Sequence, residues 1–433
     1  MSKNTAESLI SFIKESPVSF HAVENITNRL SGGGYTALFE SDAWDVVPGG
    51  KYYVTRGGSS VIAFRVPETT PVGFMMCASH SDSPTFKIKE YPETESAGMY
   101  VRLHTERYGG MLCATWLDRP LSVAGRVVVR ENGRIVPKLV SIDRDLVMIP
   151  NVAIHMMRNA NDGMSYNANV DLFPLFGDTA DRARFRAIIA EAAGVKEEDI
   201  LGSDLFLYNR MEGTVWGASE QYLSAPRLDD LQCAFASLEA FVKAKDSVSI
   251  PVLAVLDNEE VGSQTKQGAA STFLFDVLSR ITEALSLDYR RMIALSFLVS
   301  ADNAHAVHPN HPEFADPTHR PRMNGGIVVK HNANQRYTTD AVSEAIFTEI
   351  CKAADVPVQF FANRSDMVGG STLGNISNTQ VSLNTVDVGL AQLAMHSSYE
   401  TAGVHDTDYM ITALTKLYES SLKADGEGAY TLV

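Results

Sequence analysis

The chain has 433 residues, a formal charge of −15, and 45% hydrophobic, 21% charged and 9% aromatic side chains, the proportions of an ordinary folded protein with room for two or three domains. This excludes collagen-like, disordered and small disulfide-scaffold classes, and the lack of clustered Lys and Arg argues against nucleic acid and anionic membrane as partners. No apolar run reaches the roughly 18–20 residues that a bilayer requires, and the amphipathic, charged start MSKNTAESLISFIKESPVSFH lacks a signal-peptide pattern, so a cytoplasmic protein is expected.

In chain order, the first 35 residues carry two helical patterns separated at Ser16-Pro17, the second stopping at Gly32-Gly33-Gly34. Residues 51–66 alternate as strands about Arg56-Gly57-Gly58. The apolar run 72–78, bounded by Pro71 and a polar cluster, reads as a buried strand. From about Glu90 to Asp204 the texture becomes alternating strand segments, with Asn132-Gly133 as a hairpin signal and a polar helix near 178–194. This section reads as an inserted domain, giving 1–90 and 205–433 to one catalytic domain and 91–204 to the insertion. After Asp204, Leu231, Ala234, Phe235, Leu238, Phe241 and Val242 share a helical face that begins after Asp229-Asp230. Strand-like runs at 251–256, 293–300, 326–329 and 381–388 and helical patterns at 340–353 and 406–423 predict an α/β fold, a mixed, largely parallel sheet covered by helices.

Ligands of open α/β sheets sit beyond the carboxyl ends of the strands, and the chemically capable residues collect there. His80 and Asp82 follow the run at 72–78; Asp257, Glu259 and Glu260 follow 251–256; Asp302 follows 293–300; His396 follows 381–388 after a short loop. Each has an ordinary structural use, and Asp229 fits a helix N-cap. Their joint placement instead suggests a metal site. Imidazole and carboxylate suit zinc, cobalt or manganese, and the four dispersed cysteines, Cys77, Cys113, Cys233 and Cys351, fit reduced thiols better than a thiolate site. Two imidazoles and three or four carboxylates are enough for two divalent ions sharing a bridging carboxylate. Asp82 is placed to orient the His80 imidazole. Glu259 and Glu260, adjacent on a turn, can divide the roles of general base and ligand. Zincin, nucleophile-elbow and Walker A motifs are absent. The loop Gly369-Gly370-Ser371-Thr372-Leu373-Gly374 reads equally as a substrate-facing backbone or a plain turn. Pro309 and Pro312 break any helix that would align His305, His308 and His311, which leaves surface or substrate-contact roles, His305 being nearest the expected metals.

The blocks HSDSP (80–84), PRLDD (226–230), DNEEVGS (257–263), SADNAHAVHPN (300–310), KHNANQRY (330–337) and LAMHSSYE (393–400) resemble the aspartyl aminopeptidases, the eighteenth metallopeptidase family, in a bacterial-type member. The resemblance implies a zinc-peptidase-like mixed sheet sandwiched by helices, with an inserted β-rich dimerisation domain, and a homo-oligomer, a dodecamer built from dimers. It implies two metal ions, zinc foremost, held by His80, Asp229 and Asp302 and by Asp229, Glu260 and His396. Glu259 is then the catalytic base, Asp82 the partner of His80, and His305, Lys330, Tyr337 and a neighbouring subunit's copy of His155 the substrate contacts. The activity implied is removal of the N-terminal residue of peptides with preference for Asp or Glu. Residues 368–375 depart from the family's usual Cys-Gly-(Ser/Thr)-Thr loop, so a neutral first residue is the nearest alternative. A deacylase and a catalytically silent peptide-binding shell are the others.

Overall fold

The computed structural model describes residues 2–426 and 428–433, and among these the chain builds three substantial sheets. The largest is a nine-stranded mixed sheet. Its order is Thr36–Leu38, Lys51–Arg56, Ser60–Arg65, Ile250–Leu256, Phe74–His80, Phe297–Ala301, Asn384–Gly389, Ile327–His331 and Val358–Ala362. The four strands about Phe74–His80 run parallel. They are buried almost throughout because helices cover both faces. Alternation along a strand sends Met75 and Cys77 to one face, and Phe74, Met76 and Ala78 to the other. The first face packs against helices Ser2–Glu15, Ser19–Gly32, Leu228–Lys243 and Asp406–Tyr418. The second packs against Phe273–Ala284 and Tyr289–Ala294. Among the described residues no helix is long and apolar enough to cross a membrane.

A six-stranded antiparallel sheet, built from residues 85–209, has its own core around Phe86, Leu103, Val127 and Leu205. The expected hairpin is there: Leu121–Glu131 pairs with Arg134–Ser141, and Asn132 and Gly133 both take positive φ, 52° and 77°. That is the two-residue turn whose twist matches a hairpin. The strands that leave and re-enter the main body, Thr85–Ser96 and Ile200–Asn209, run across the expected boundaries at 90/91 and 204/205. A five-stranded sheet joins Thr214–Trp216, Tyr222–Ala225, Glu400–Gly403, Ala391–Leu393 and Ala304–His305.

Four local expectations are corrected. Ile293 lies within the helix Tyr289–Ala294, and the strand starts only at Phe297. The expected helix at 178–194 is a 3-10 turn at 179–181 followed by a helix from Phe185 to Ala193. The last helix stops at Tyr418, and Leu422–Ala424 turns back as a strand. Val242 is not on the packed face of Leu228–Lys243, since it is exposed where Leu238 and Phe241 are buried.

Candidate metal centre and active site

Parallel pairing sets the strand ends level: Leu256 registers with His80, and Ser300 with Ala78. His80 is the last residue of its strand rather than the first beyond it. Ile250–Leu256 delivers Asp257 and then the short turn Glu259–Val261, whose flanking Asn258 and Gly262 take φ of 65° and 93°. Asp302 directly follows Phe297–Ala301. His396 arrives on the loop between Ala391–Leu393 and Glu400–Gly403. Asp229 and Asp230 lie in the first turn of Leu228–Lys243 but are not its cap: Arg227 holds that place, and both aspartates have non-helical dihedrals, joined by a cis peptide.

Asp229 lies between the two imidazoles. Its Oδ1 is 3.3 Å from His80 Nε2 and its Oδ2 is 3.5 Å from His396 Nε2. Asp302 Oδ1 is 4.0 Å from His80 Nε2, and Glu260 Oε2 is 3.4 Å from His396 Nε2. Ligand atoms of His80, Asp229, Asp230 and Asp302 fall within 4.8 Å of one another, as do those of Asp229, Glu260 and His396 and those of His80, Glu259 and Glu260. The opposite ring nitrogen of His80 lies 3.0 Å from the Asp82 carbonyl oxygen and 3.4 Å from its carboxylate. The Asp82 carboxylate is held in turn: Oδ1 accepts the Glu259 N–H at 3.1 Å, and Oδ2 accepts the Glu260 N–H at 3.2 Å. Glu400 does the same service elsewhere, accepting the backbone N–H of Asp229 at 3.0 Å and of His396 at 2.7 Å.

Crowded carboxylates with little solvent resist ionisation, and this cluster shows it. Burial, with the nearby Asp229 adding to it, raises Glu260 well above the usual carboxylate range. Burial pushes Glu259 up to about 8, His80 opposing and Asp302 and Asp82 adding. Burial also raises Asp302, against the pull of Lys330. For Asp229 burial pushes upward, yet the facing imidazoles of His396 and His80 win and hold it low. The buried oxygens Asp229 Oδ1 and Glu260 Oε1 have no hydrogen-bond partner. A buried, unsatisfied carboxylate is costly. Divalent cations would satisfy these oxygens and lower the charge repulsion together, so the donor set fits a metal.

A family profile described as "Aminopeptidase I zinc metalloprotease (M18)" matches residues 12–418. The chain belongs to the M18 aminopeptidase family. It is 44% identical over 424 residues to a protein named "Probable M18 family aminopeptidase 2" from Clostridium acetobutylicum, covering 95% of this chain and 98% of that one. Among solved structures, one described as the Ape4 and Nbr1 complex superposes with a TM-score of 0.93 at 34% identity, over 96% of this chain and 86% of that one. The S. cerevisiae mApe1 dodecamer gives 0.84 at 29% identity, over 95% and 96%. The protein is thus a metallo-aminopeptidase, a hydrolase acting on peptide bonds, in a zinc metalloprotease family.

In this M18 chain the cluster forms one wall of a cavity of about 690 Å³. His305, Lys330, Tyr337, Phe361, Met395 and the loop residues Gly370 to Thr372 line the rest. The structure therefore brings His80, Asp229, Glu259, Glu260, Asp302, His396, His305, Lys330 and Tyr337 to one cavity. Asp82 stands behind it. Lys330 is 3% exposed, donates to the Asn303 carbonyl at 2.8 Å and lies 3.9 Å from Asp302. Burial would discharge it, but Asp302 and its neighbours hold its pKa above the ordinary lysine value. His155 does not join them: it sits in an exposed loop, outside the residues lining the cavity. His308 and His311 are exposed too, with ring centroids 5.3 Å apart. The glycine-rich loop is split: residues 370–372 line the cavity, and Leu373 and Gly374 open the short helix Leu373–Ser377. Gly370 faces the cavity, while a Cβ on Gly374 would come within 2.8 Å of Asp387 and Ser300.

The sequence reading missed Asp230 as a member of the cluster, Glu400 as the anchor of two ligand backbones, and Tyr108, whose hydroxyl donates to Asp82 at 2.7 Å. The first two stand inside the blocks PRLDD and LAMHSSYE, so a signal existed. Tyr108 carried none, because it reaches the site from the six-stranded sheet.

Proposed function

We propose that the protein is a dinuclear-metal aminopeptidase that removes the N-terminal residue of peptides, with preference for Asp or Glu. The observation that carries the dinuclear reading is Asp229, a single carboxylate with one oxygen toward each imidazole. In this reading His80, Asp229 and Asp302 hold one ion and Asp229, Glu260 and His396 the other, zinc being the ion the family description names. Bound divalent ions would polarise the scissile carbonyl and make water more acidic near neutral pH. The remaining work belongs to the chain. Glu259 accepts a proton from the attacking water as its oxygen bonds to the carbonyl carbon. When the C–N bond breaks, Glu259 returns that proton to the leaving amine. Asp82 keeps His80 oriented, and the carboxylate-rich wall receives the free α-ammonium that defines an exopeptidase substrate.

The acidic preference is supported by Lys330. It stays charged in the cavity, and with three donors it retains hydrogens beyond the one given to Asn303. Against a chain charge of −15, such attraction acts only over about a Debye length, roughly 8–10 Å. His155 would act from a second copy, with residues 91–204 as the dimerisation unit and a dodecamer as the assembly. A solved relative, mApe1, is described as a dodecamer.

A panel of aminoacyl chromogenic substrates tests this reading, run before and after chelation and with Glu259→Gln. Activity lost on chelation, restored by zinc, and reduced about 10²–10⁴-fold by the substitution is expected. Equal rates for substituted and parent proteins would end the base assignment. Faster release of leucine than aspartate would end the acidic preference alone. Cleavage of N-acetylated but not free peptides would make the protein a deacylase.

A further inference from the structure

The proposed metal cluster is assembled on the large sheet, yet one stretch of the six-stranded sheet touches it at four points. Strand Tyr100–Tyr108 ends beside the site. The Tyr108 hydroxyl donates to Asp82 Oδ2 at 2.7 Å and accepts from Asn258 Nδ2 at 2.8 Å, so it braces the aspartate behind His80 and the residue before Glu259 together. Gly109, at φ 77°, lies so close to Glu260 that an added Cβ would stand 3.1 Å from the Glu260 Cβ and 3.2 Å from its carbonyl oxygen. The Gly110 backbone lies beside the His396 imidazole and favours its protonated form. The Leu112 N–H donates to the His396 carbonyl at 3.0 Å.

We infer that residues 108–112 are a strap through which the six-stranded sheet fixes the geometry of both halves of the metal cluster, with Tyr108 a positioning residue acting through Asp82. The physical argument is one of outer support. A ligand whose remaining hydrogen bond is fixed loses less freedom on binding a cation, and partners of this kind typically account for 10- to 100-fold in metal affinity. Both ends of the cluster are served: Tyr108 reaches the His80 side, and Gly109 to Leu112 reach Glu260 and His396. A side chain at 109 would need a left-handed backbone and would also push on Glu260. The Tyr108 ring is separately held by an edge contact to Phe206, with centroids 5.6 Å apart. Loss of the hydroxyl alone therefore leaves its packing in place.

This inference rests on the metal reading above, and its test separates the two. The full-length protein is stripped with a chelator, and zinc affinity is measured by competition for the parent, Tyr108→Phe, Gly109→Ala and Tyr100→Phe. Visible spectra of the cobalt-loaded proteins and kcat and KM on one aminoacyl substrate accompany the titration. Tyr108→Phe is expected to weaken zinc binding about 10- to 100-fold, alter the cobalt bands and lower kcat more than it raises KM, with the melting temperature of the metal-free protein held near the parent value. Gly109→Ala is expected to weaken zinc binding as well. Tyr100→Phe, exposed at the far end of the same strand, is expected to match the parent. The inference is overturned if Tyr108→Phe matches the parent within twofold in affinity, spectrum and kcat; should Gly109→Ala not fold, Tyr108→Phe alone decides. A parent that takes up no zinc or cobalt overturns instead the metal reading itself.

Discussion

The two halves of the cluster are built unequally. On one side His80 and Asp229 have side chains 1% and 3% exposed, and Asp302 and Asp230 are buried beside them. On the other, the His396 side chain is 34% exposed and comes from a loop. In the first half His80 and Asp302 stand at strand ends fixed by the central sheet. The second is brought into place by Glu400, which grips the His396 backbone, and by the strap that meets its ring and carbonyl. Strand ends give placement through hydrogen-bond registry, whereas a loop residue needs individual anchors to reach the same definition.

The substitution with the largest expected effect removes the contrast altogether. Asp229→Asn leaves both imidazoles without their shared carboxylate, and a loss of at least about 10³-fold in kcat/KM is expected, together with loss of zinc measured by elemental analysis. Retention of one zinc per chain would show that one half stands alone. Next comes the direct comparison. His80→Ala unpairs buried charge and should cost about 3 kcal/mol or more of metal-free stability. His396→Ala, at a half-exposed site, should cost less than about 1 kcal/mol while still lowering zinc content. Denaturant unfolding of both proteins checks this, and equal losses would erase the distinction drawn between them.

A pH-dependent effect tests the packing behind the buried half. His21 lies near Arg227, just before the Asp229 turn, and burial, reinforced by that guanidinium, lowers its pKa to about 4. Its folded value is depressed below the unfolded 6.5. The unfolded chain thus gains a proton first on acidification, so the stability is complete above 6.5 and is lost as pH falls through about 4. The change amounts to about 3 kcal/mol. A melting series from pH 7.5 to 4 should show this slope in the parent and a flatter one in His21→Phe. The smallest effect lies far from both halves: Gly133→Ala, forced into a positive φ with open space around it, should cost about 1 kcal/mol and leave kcat/KM unchanged.

The strands that carry His80, Glu259 and Asp302 were legible because burial on both faces leaves long apolar runs ended by polar residues, and in parallel strands such endings face the same crevice. The start of the run 293–300 was misjudged for the same reason: a helix end and a buried strand are both apolar there, and periodicity does not divide them. Asp229 also fitted a cap, because a carboxylate before a helix commonly is one; Arg227 takes that place, and Asp229 has non-helical dihedrals. Lys330 and Tyr337 came through the motif blocks rather than through pattern. Tyr108 and Glu400 act across 26 and 171 positions of chain, on Asp82 and on Asp229 respectively, and no local rule encodes such a pairing.

Asp82 gives one oxygen to the amide of Glu259 and the other to the amide of Glu260. A change at residue 82 made to retune the proton acceptor would disturb its neighbour in the same stroke, so that position offers little freedom for gradual improvement. The segment 368–375 and the walls formed by His305 and Phe361 touch neither amide. Diversified libraries confined to those positions can therefore explore new first-residue preferences while the reactive machinery stays intact.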